Sequence, residues 1–348
     1  MKKLLHKFRK PEEVQPSSRI TSETVAHHRE RILAGGRRFK YPIQYARHKL
    51  VINAIIISIA AIVLVVTVGW WQLYPSQNTS EFMYRITKVL PLPVATVDGQ
   101  PVLYSDYLMI YLSSIHYLET KEQVNLKTDD GKRQINYIKQ ESIKHAIADA
   151  YAQKMAKSLN LSVSESDIQA LYKIQRQTIS GEMTERAFDA NNLDNFGWNA
   201  ADYHHITELT LLRQKVTYAM DKDALSTADS VSVTLKNDPS TDLKALAAAL
   251  SDQKSIKVSY SISGMVLKTN SDGGLAAEAA KLTKGQVSLA FKPTLGDGYY
   301  FVKLIDSNDT QVNYEYIKVP LTAFDNALNA LIKNGKVNKY ISIPDSTK

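Results

Sequence analysis

The chain of 348 residues contains no cysteine. That absence excludes disulfide scaffolds, thiolate zinc sites, iron–sulfur clusters and cysteine nucleophiles. Glycine and proline are sparse, at 14 and 11 residues, and 22% of residues are charged. Collagen-like, mucin-like and wholly disordered chains are therefore excluded. No histidine follows His205. No HExxH or comparable paired spacing occurs either, and a helix would point the adjacent His204 and His205 about 100° apart. No metal set and no cofactor is expected.

The formal charge of +8 is a property of one segment. Residues 1–49 hold 13 Lys or Arg against 4 Glu, whereas residues 50–348 hold 30 basic against 31 acidic residues. Leu50 to Trp71 follows without a charge, and as a helix it would span roughly 33 Å. A buried core helix rarely has so long a wholly apolar run. A cleavable signal peptide normally has a shorter head and core, and WWQLYPSQN offers aromatics where small residues would be needed. The pattern predicts an uncleaved, single-pass anchor at 50–72. Trp70, Trp71 and Tyr74 are placed for one headgroup layer, and Arg47 and Lys49 for the other. The basic tail, 1–49, is expected in the cytoplasm, with the body outside it. The leading KKLLHKFRK and PEEVQPSSR lack a sustained apolar face and suit contact with anionic lipid. Nucleic-acid binding is not expected, since a basic cluster beside a span is explained by insertion. His27, His28 and His48 read as solvated tail.

Residues 73–92 read as a linker ending at Pro91 and Pro93. Val94–Val97, the turn signal Asp98-Gly99 and Val102-Leu103 then predict a hairpin, with Ser105 capping a helix through Tyr107, Leu108, Tyr111, Leu112 and Ile115. Ile143, Ile147, Tyr151, Met155 and Leu159 mark a long amphipathic helix that stops at Asn160. Ser164-x-x-Asp167 and Asn199-x-x-Asp202 each start another helix. Four helices therefore fill most of residues 105–220. Tyrosines and methionines at helical spacing there read as packing residues or as the lining of an adaptable apolar groove.

Beyond Met220 the pattern becomes α+β. Val231–Leu235 predicts a strand, Asp242–Leu250 a helix, and the alternation of Ile256, Val258, Tyr260 and Ile262 a second strand. LAAEAAKL reads as a helix with Gly285 as its terminal glycine, and Val287-Ser288 as extended chain. GYYFVKLID and VNYEYIKV complete a small, mostly antiparallel sheet. Thr322 or a neighbour caps a last helix through Phe324, Leu328 and Leu331.

Taken in order, these segments resemble the exported chaperones and foldases of the SurA and PrsA type, which carry a parvulin-type prolyl isomerase domain. VATVDGQPVLYSDY resembles the hairpin and first helix of the chaperone domain, and KMAKSLNLSVSESDIQALY its later helix-turn-helix. LAAEAAKLTKGQVSLAF with GYYFVKLID resembles the second half of the isomerase domain, through Leu282, Gly285, Val287, Ser288, Gly298 and Tyr299. The resemblance covers residues 90–345. It implies a helical chaperone-like domain at 93–221, a parvulin-like domain at 222–320, and a C-terminal segment at 321–348 whose helix returns to the chaperone domain.

The implied partners are unfolded or partly folded exported polypeptides, together with membrane lipid. Candidate client-binding or pocket residues are Tyr107, Tyr111, Tyr151, Met155, Met265, Phe291, Tyr299 and Tyr300. Active parvulins resemble one another in a histidine on an early strand and another in a Gly-Tyr-His run. Here Tyr300 stands at the later position, and Val231–Leu235 has no histidine. Isomerisation needs a network preorganised around a twisted amide, so a chaperone with little or no catalysis is expected. An active prolyl isomerase and a noncatalytic envelope scaffold are the alternatives. One of Tyr299 and Tyr300 would pack inward and the other lie on the opposite strand face.

Overall fold

A computed structural model describes residues 20–40, 42–178, 181–253, 257–294 and 296–344. The segments KKLLHKFRK and PEEVQPSSR, read above as lipid-contacting tail, lie outside the described residues. So do the Arg47 side chain and Ile256.

The first unit runs to Trp71. It holds α1 (Ser22–Lys40) and most of α2 (Pro42–Leu73). The histidines His27 and His28 are exposed on α1. Among the described residues one helix, His48–Leu73, is long and apolar enough to cross a membrane. Its side chains from Leu50 to Val68 are exposed, unlike those of a core helix, which would be covered by protein. Lys49, Trp70 and Trp71 are also exposed.

The second unit begins at Gln72. Its elements are α3 (Glu81–Val89), β1 (Pro93–Val97), β2 (Gln100–Leu103), α4 (Tyr104–Thr120), α5 (Asp129–Leu159), α6 (Glu165–Gln175), β3 (Gln177–Thr178), β4 (Gly181–Glu182), α7 (Glu185–Phe196) and α8 (Ala200–Met220). There follow α9 (Lys222–Asn237), α10 (Leu243–Gln253), β5 (Ser259–Leu267), α11 (Leu275–Ala279), β6 (Gly298–Ser307), β7 (Gln311–Pro320), α12 (Ala323–Lys333) and β8 (Val337–Lys339).

Local signals set many boundaries. Asp98 and Gly99 take positive φ at the β1–β2 turn. Ser164 and Asp167 form a reciprocal capping box at α6, Asn199 caps α8, and Asn160 closes α5 in the left-handed conformation. Three core clusters result. The first joins α3, the β1–β2 hairpin, α4, α5, α8 and α12, with Leu73, Tyr104, Tyr151, Val216, Phe324 and Leu328 among its buried side chains. The last helix thus packs on residues far back in the chain, with the Phe324 ring 5.1 Å from that of Tyr151. In the same region β8 pairs antiparallel with β1, giving the order β2-β1-β8. The second and third clusters lie on opposite faces of a three-stranded antiparallel sheet, order β5-β7-β6, covered by α9 and α10 on one side and α11 on the other.

Four expectations need correction. Residues 73–92 are not a plain linker: α3 forms there, capped by Ser80, and Leu73 and Met83 enter the first core. The helix after the hairpin starts at Tyr104, and its cap, Leu103, makes no side-chain bond. Among the described residues five helices, not four, lie between 104 and 220, because Thr184 caps α7. Val231–Leu235 is helical, since Ala224, Ala228, Val231 and Leu235 are all buried at helical spacing. That replaces the strand on which the resemblance would have placed an early histidine.

Candidate functional site

Two surfaces are candidates, and only the second carries residues singled out from the sequence. The first is a cleft of about 410 Å³ between α3, α4 and the α7–α8 corner. The chain turns this corner at Gly197, which holds φ +69°, and a Cβ there would sit 3.3 Å from the His116 ring. The turn delivers Phe196 and Trp198 as a stacked pair, 5.0 Å between centroids, into the cleft beside Met109 and Leu112. Asp202, in the first turn of α8, accepts the Tyr84 hydroxyl at 2.6 Å and Lys88 Nζ at 2.7 Å. Burial and then the Asp202 bond hold the Tyr84 phenol well above its usual range. The wall is therefore part aromatic and part ionic, with its one deep carboxylate already satisfied.

A second polar cluster joins α4, α5 and α8 around the buried carboxylates Asp106 and Asp149. His205 bonds Asp106 at 2.9 Å, which raises the imidazole's pKa against the opposing effect of burial. Arg213 approaches Asp149 at 3.0 Å, at ion-pair distance without hydrogen-bond alignment. Burial pushes the Asp149 carboxyl up to about 6 despite that guanidinium. Burial and Arg213 together lower the pKa of His145. His204 points elsewhere, to Glu165 at 2.9 Å. Among the described residues no three His, Asp or Glu side chains converge as metal ligands.

The second surface is the sheet. Gly298 opens β6 where a Cβ would meet the Val319 carbonyl at 2.5 Å, and its own carbonyl accepts the Tyr218 hydroxyl at 2.6 Å. The next two tyrosines fall on opposite faces. Tyr299, 5% exposed, packs in the cluster under α9, its ring 5.2 Å from that of Tyr218, with Lys292 over both rings. Tyr300, 4% exposed, packs in the cluster under α11, between Phe291 and Tyr316 at 6.2 and 5.6 Å. Its hydroxyl donates to Asp297 at 3.1 Å, and Asp297 is also ion-paired with Lys318. Burial, followed by the Asp297 charge, raises the phenol's pKa. At this position the chain has a packed phenol tied into an ion pair.

Of the other named residues, Tyr107 and Tyr151 are buried in the first core cluster, against which Met155 packs, and Tyr111 is also buried. Tyr107 stacks on Tyr111 at 6.2 Å. These side chains are packing residues of the core rather than the lining of an open groove. Tyr74 packs against the same core and donates to the Pro93 carbonyl at 2.8 Å. Met265 is exposed on β5. Sequence reasoning missed the cleft, although Trp198 beside the Asn199 cap was the legible sign of an aromatic at a helix corner.

A family model described as the SurA-like N-terminal domain matches residues 43–217, just over half of the chain. No curated protein and no solved structure matches it.

Proposed function

The chain belongs to the family of SurA-like N-terminal domains, and from that we propose that it is a membrane-anchored chaperone or folding factor for exported polypeptides. The observation that carries the reading is the family match over 43–217, joined to a helix able to cross a membrane. The basic excess before that helix supports a cytoplasmic N-terminus and a body outside the cytoplasmic membrane. Client contact is assigned to the cleft of Phe196, Trp198, Met109 and Leu112. Apolar segments of an unfolded chain would be held there by removal of their surface from water, with Lys88, Arg85 and Glu81 at the rim for polar contacts.

The β5-β7-β6 sheet is proposed to be a parvulin-like module that binds or spaces rather than catalyses. Two features support this: the Tyr300 hydroxyl is engaged by Asp297, and the sheet contains no histidine.

The test is aggregation of chemically unfolded clients in the presence of the full chain in detergent. Suppression at near-stoichiometric amounts, with an unchanged cis–trans relaxation rate of an X-Pro peptide, is the expected result. No protection across several clients would sink the chaperone reading, and faster relaxation would turn the sheet into an enzyme. Capture of one fixed partner in membrane crosslinking would favour a scaffold.

A further inference from the structure

The edge of the three-stranded sheet carries a feature that the cleft does not explain. β5, Ser259–Leu267, pairs with β7 on one side only. Among the described residues no backbone group of another segment bonds to its outer side between Ser259 and Val266. The strand holds no Asp, Glu, Lys, Arg or Pro. Those residues usually protect a sheet edge against pairing, and the one such device within β5 is a bulge between Ile262 and Met265. The nearest charges are Lys257 and Lys268, just beyond its two ends.

Its side chains add an apolar stripe. Ile262, Met265 and Leu267 lie opposite Glu315, Asn313 and Gln311 of β7, on one face of the sheet, and are 54%, 44% and 44% exposed. Unpaired main-chain donors and acceptors beside apolar side chains on one face are the two elements needed for strand addition.

We propose that β5 captures an extended segment of an unfolded polypeptide by β-strand addition, with apolar residues at alternate positions against Ile262, Met265 and Leu267. The proposal rests on the chaperone reading and gives the protein a second client contact, distinct from the helical cleft. Main-chain pairing is blind to sequence, which suits clients that share only their unfolded state.

The geometry selects this occupant over a second copy of the chain. The β5–β7 register shifts between Ile262 and Met265, where Gly264 has φ +67°, and such a bulge bends the edge. A rigid β5 from another copy, itself bent, cannot follow the whole strand, whereas an unfolded segment can. The area points the same way. Nine residues make a strand of about 30 Å, so pairing covers on the order of 300 Å² a side, well below the roughly 800 Å² a side of a stable interface. The contact has the size of a transient one.

The test uses the full chain in detergent micelles and a fluorescein-labelled nine-residue peptide of alternating Val and Thr. A second peptide is identical except for N-methyl groups on alternate amides, which remove donors from one edge. Anisotropy titration is expected to give at least about tenfold weaker binding for the methylated peptide, and for the I262K/M265K variant with the plain one. Both substitutions are at exposed positions, so the variant's circular dichroism and melting curve should match the wild type.

Equal binding of the two peptides, or undiminished binding by the variant, would overturn the proposal. So would sedimentation showing a wild-type dimer that the variant loses, because the edge would then pair with itself. If the plain peptide does not bind while clients are still protected from aggregation, strand addition fails and the chaperone reading stands. Loss of both removes the chaperone reading as well.

Discussion

Asp221 accepts the backbone N–H of Thr322 at 2.6 Å across 101 residues of chain, and the same carboxylate oxygen accepts Ala323 N–H at 2.9 Å. Its other oxygen accepts Ala224 N–H at 2.9 Å, capping α9. One buried carboxylate therefore satisfies the first N–H groups of two helices, one leading into the sheet and one returning from it. An N-cap contributes about 1 kcal/mol, and buried donors left unpaired cost more. Asp221→Ala is expected to destabilise the fold by about 2–4 kcal/mol, with Asp221→Asn intermediate. Urea unfolding of the full chain in detergent measures it.

The cluster around Asp106 and Asp149 gives the stability a pH signature. Asp149 holds its proton more tightly in the fold, near 6, than its ordinary value of 3.8. Its contribution is therefore complete in acid and falls as the pH rises from about 4 to about 6. The full loss is on the order of 2–3 kcal/mol. His205, also raised, adds a separate decline above about 6.5, as the pH climbs through its folded value, while the lowered His145 opposes the Asp149 decline below about 6.5. The difference between wild type and Asp149→Asn isolates the first effect. The wild type's relative stability should drop over pH 4–6 and then level, as read from urea midpoints at each pH.

Restoring a histidine at Tyr300 should not create an isomerase. The side chain is packed between Phe291 and Tyr316, and the strand that would hold a second histidine is helical. Tyr300→His is expected to leave X-Pro relaxation unchanged and to cost about 1–3 kcal/mol through lost packing. Tyr300→Phe, which removes only the bond to Asp297, should cost about 1 kcal/mol. Parallel melting curves and peptide kinetics check both.

The cleft makes a separate prediction. Trp198→Ala removes the ring stacked on Phe196 and should raise the amount of protein needed for half-maximal protection of an unfolded client about three- to tenfold. Lys222→Ala, on α9 outside the cleft, serves as the control and should leave protection unchanged.

Orientation is tested by protease added to the outside of intact cells lacking a wall. The body should be digested and a fragment containing α1 and the span protected. Replacing the basic residues nearest the span, Arg37, Arg38, Lys40, Arg47 and Lys49, with Gln should place part of the population in the opposite orientation.

The elements legible from the sequence were those specified within one turn of chain. The Asp98-Gly99 hairpin, the Ser164–Asp167 box, the Asn199 cap and the Asn160 stop each depend on groups three or four residues apart. The sheet strands after Gly298 were legible as runs rich in aromatic and β-branched residues, with buried positions alternating over most of β7. Val231–Leu235 was not, because apolar residues at 231, 233 and 235 fit a strand while 231 and 235 also fit a helix. Burial of Ala224 and Ala228 on the same side decided for the helix. Nor was α3, since Pro91 and Pro93 made the stretch before them read as linker.

By itself, the sequence determined the distribution of charge, the 22-residue apolar run, the absence of thiol chemistry and the lack of any histidine beyond residue 205. These are sums over composition and local order, which folding leaves unchanged. The tertiary structure alone decided which tyrosines are core, how Asp221 joins two distant helices, and which strand is left at the edge. Those outcomes depend on partners far apart in the chain, such as Tyr151 with Phe324 and Asp221 with Thr322, and local patterning does not select among such partners.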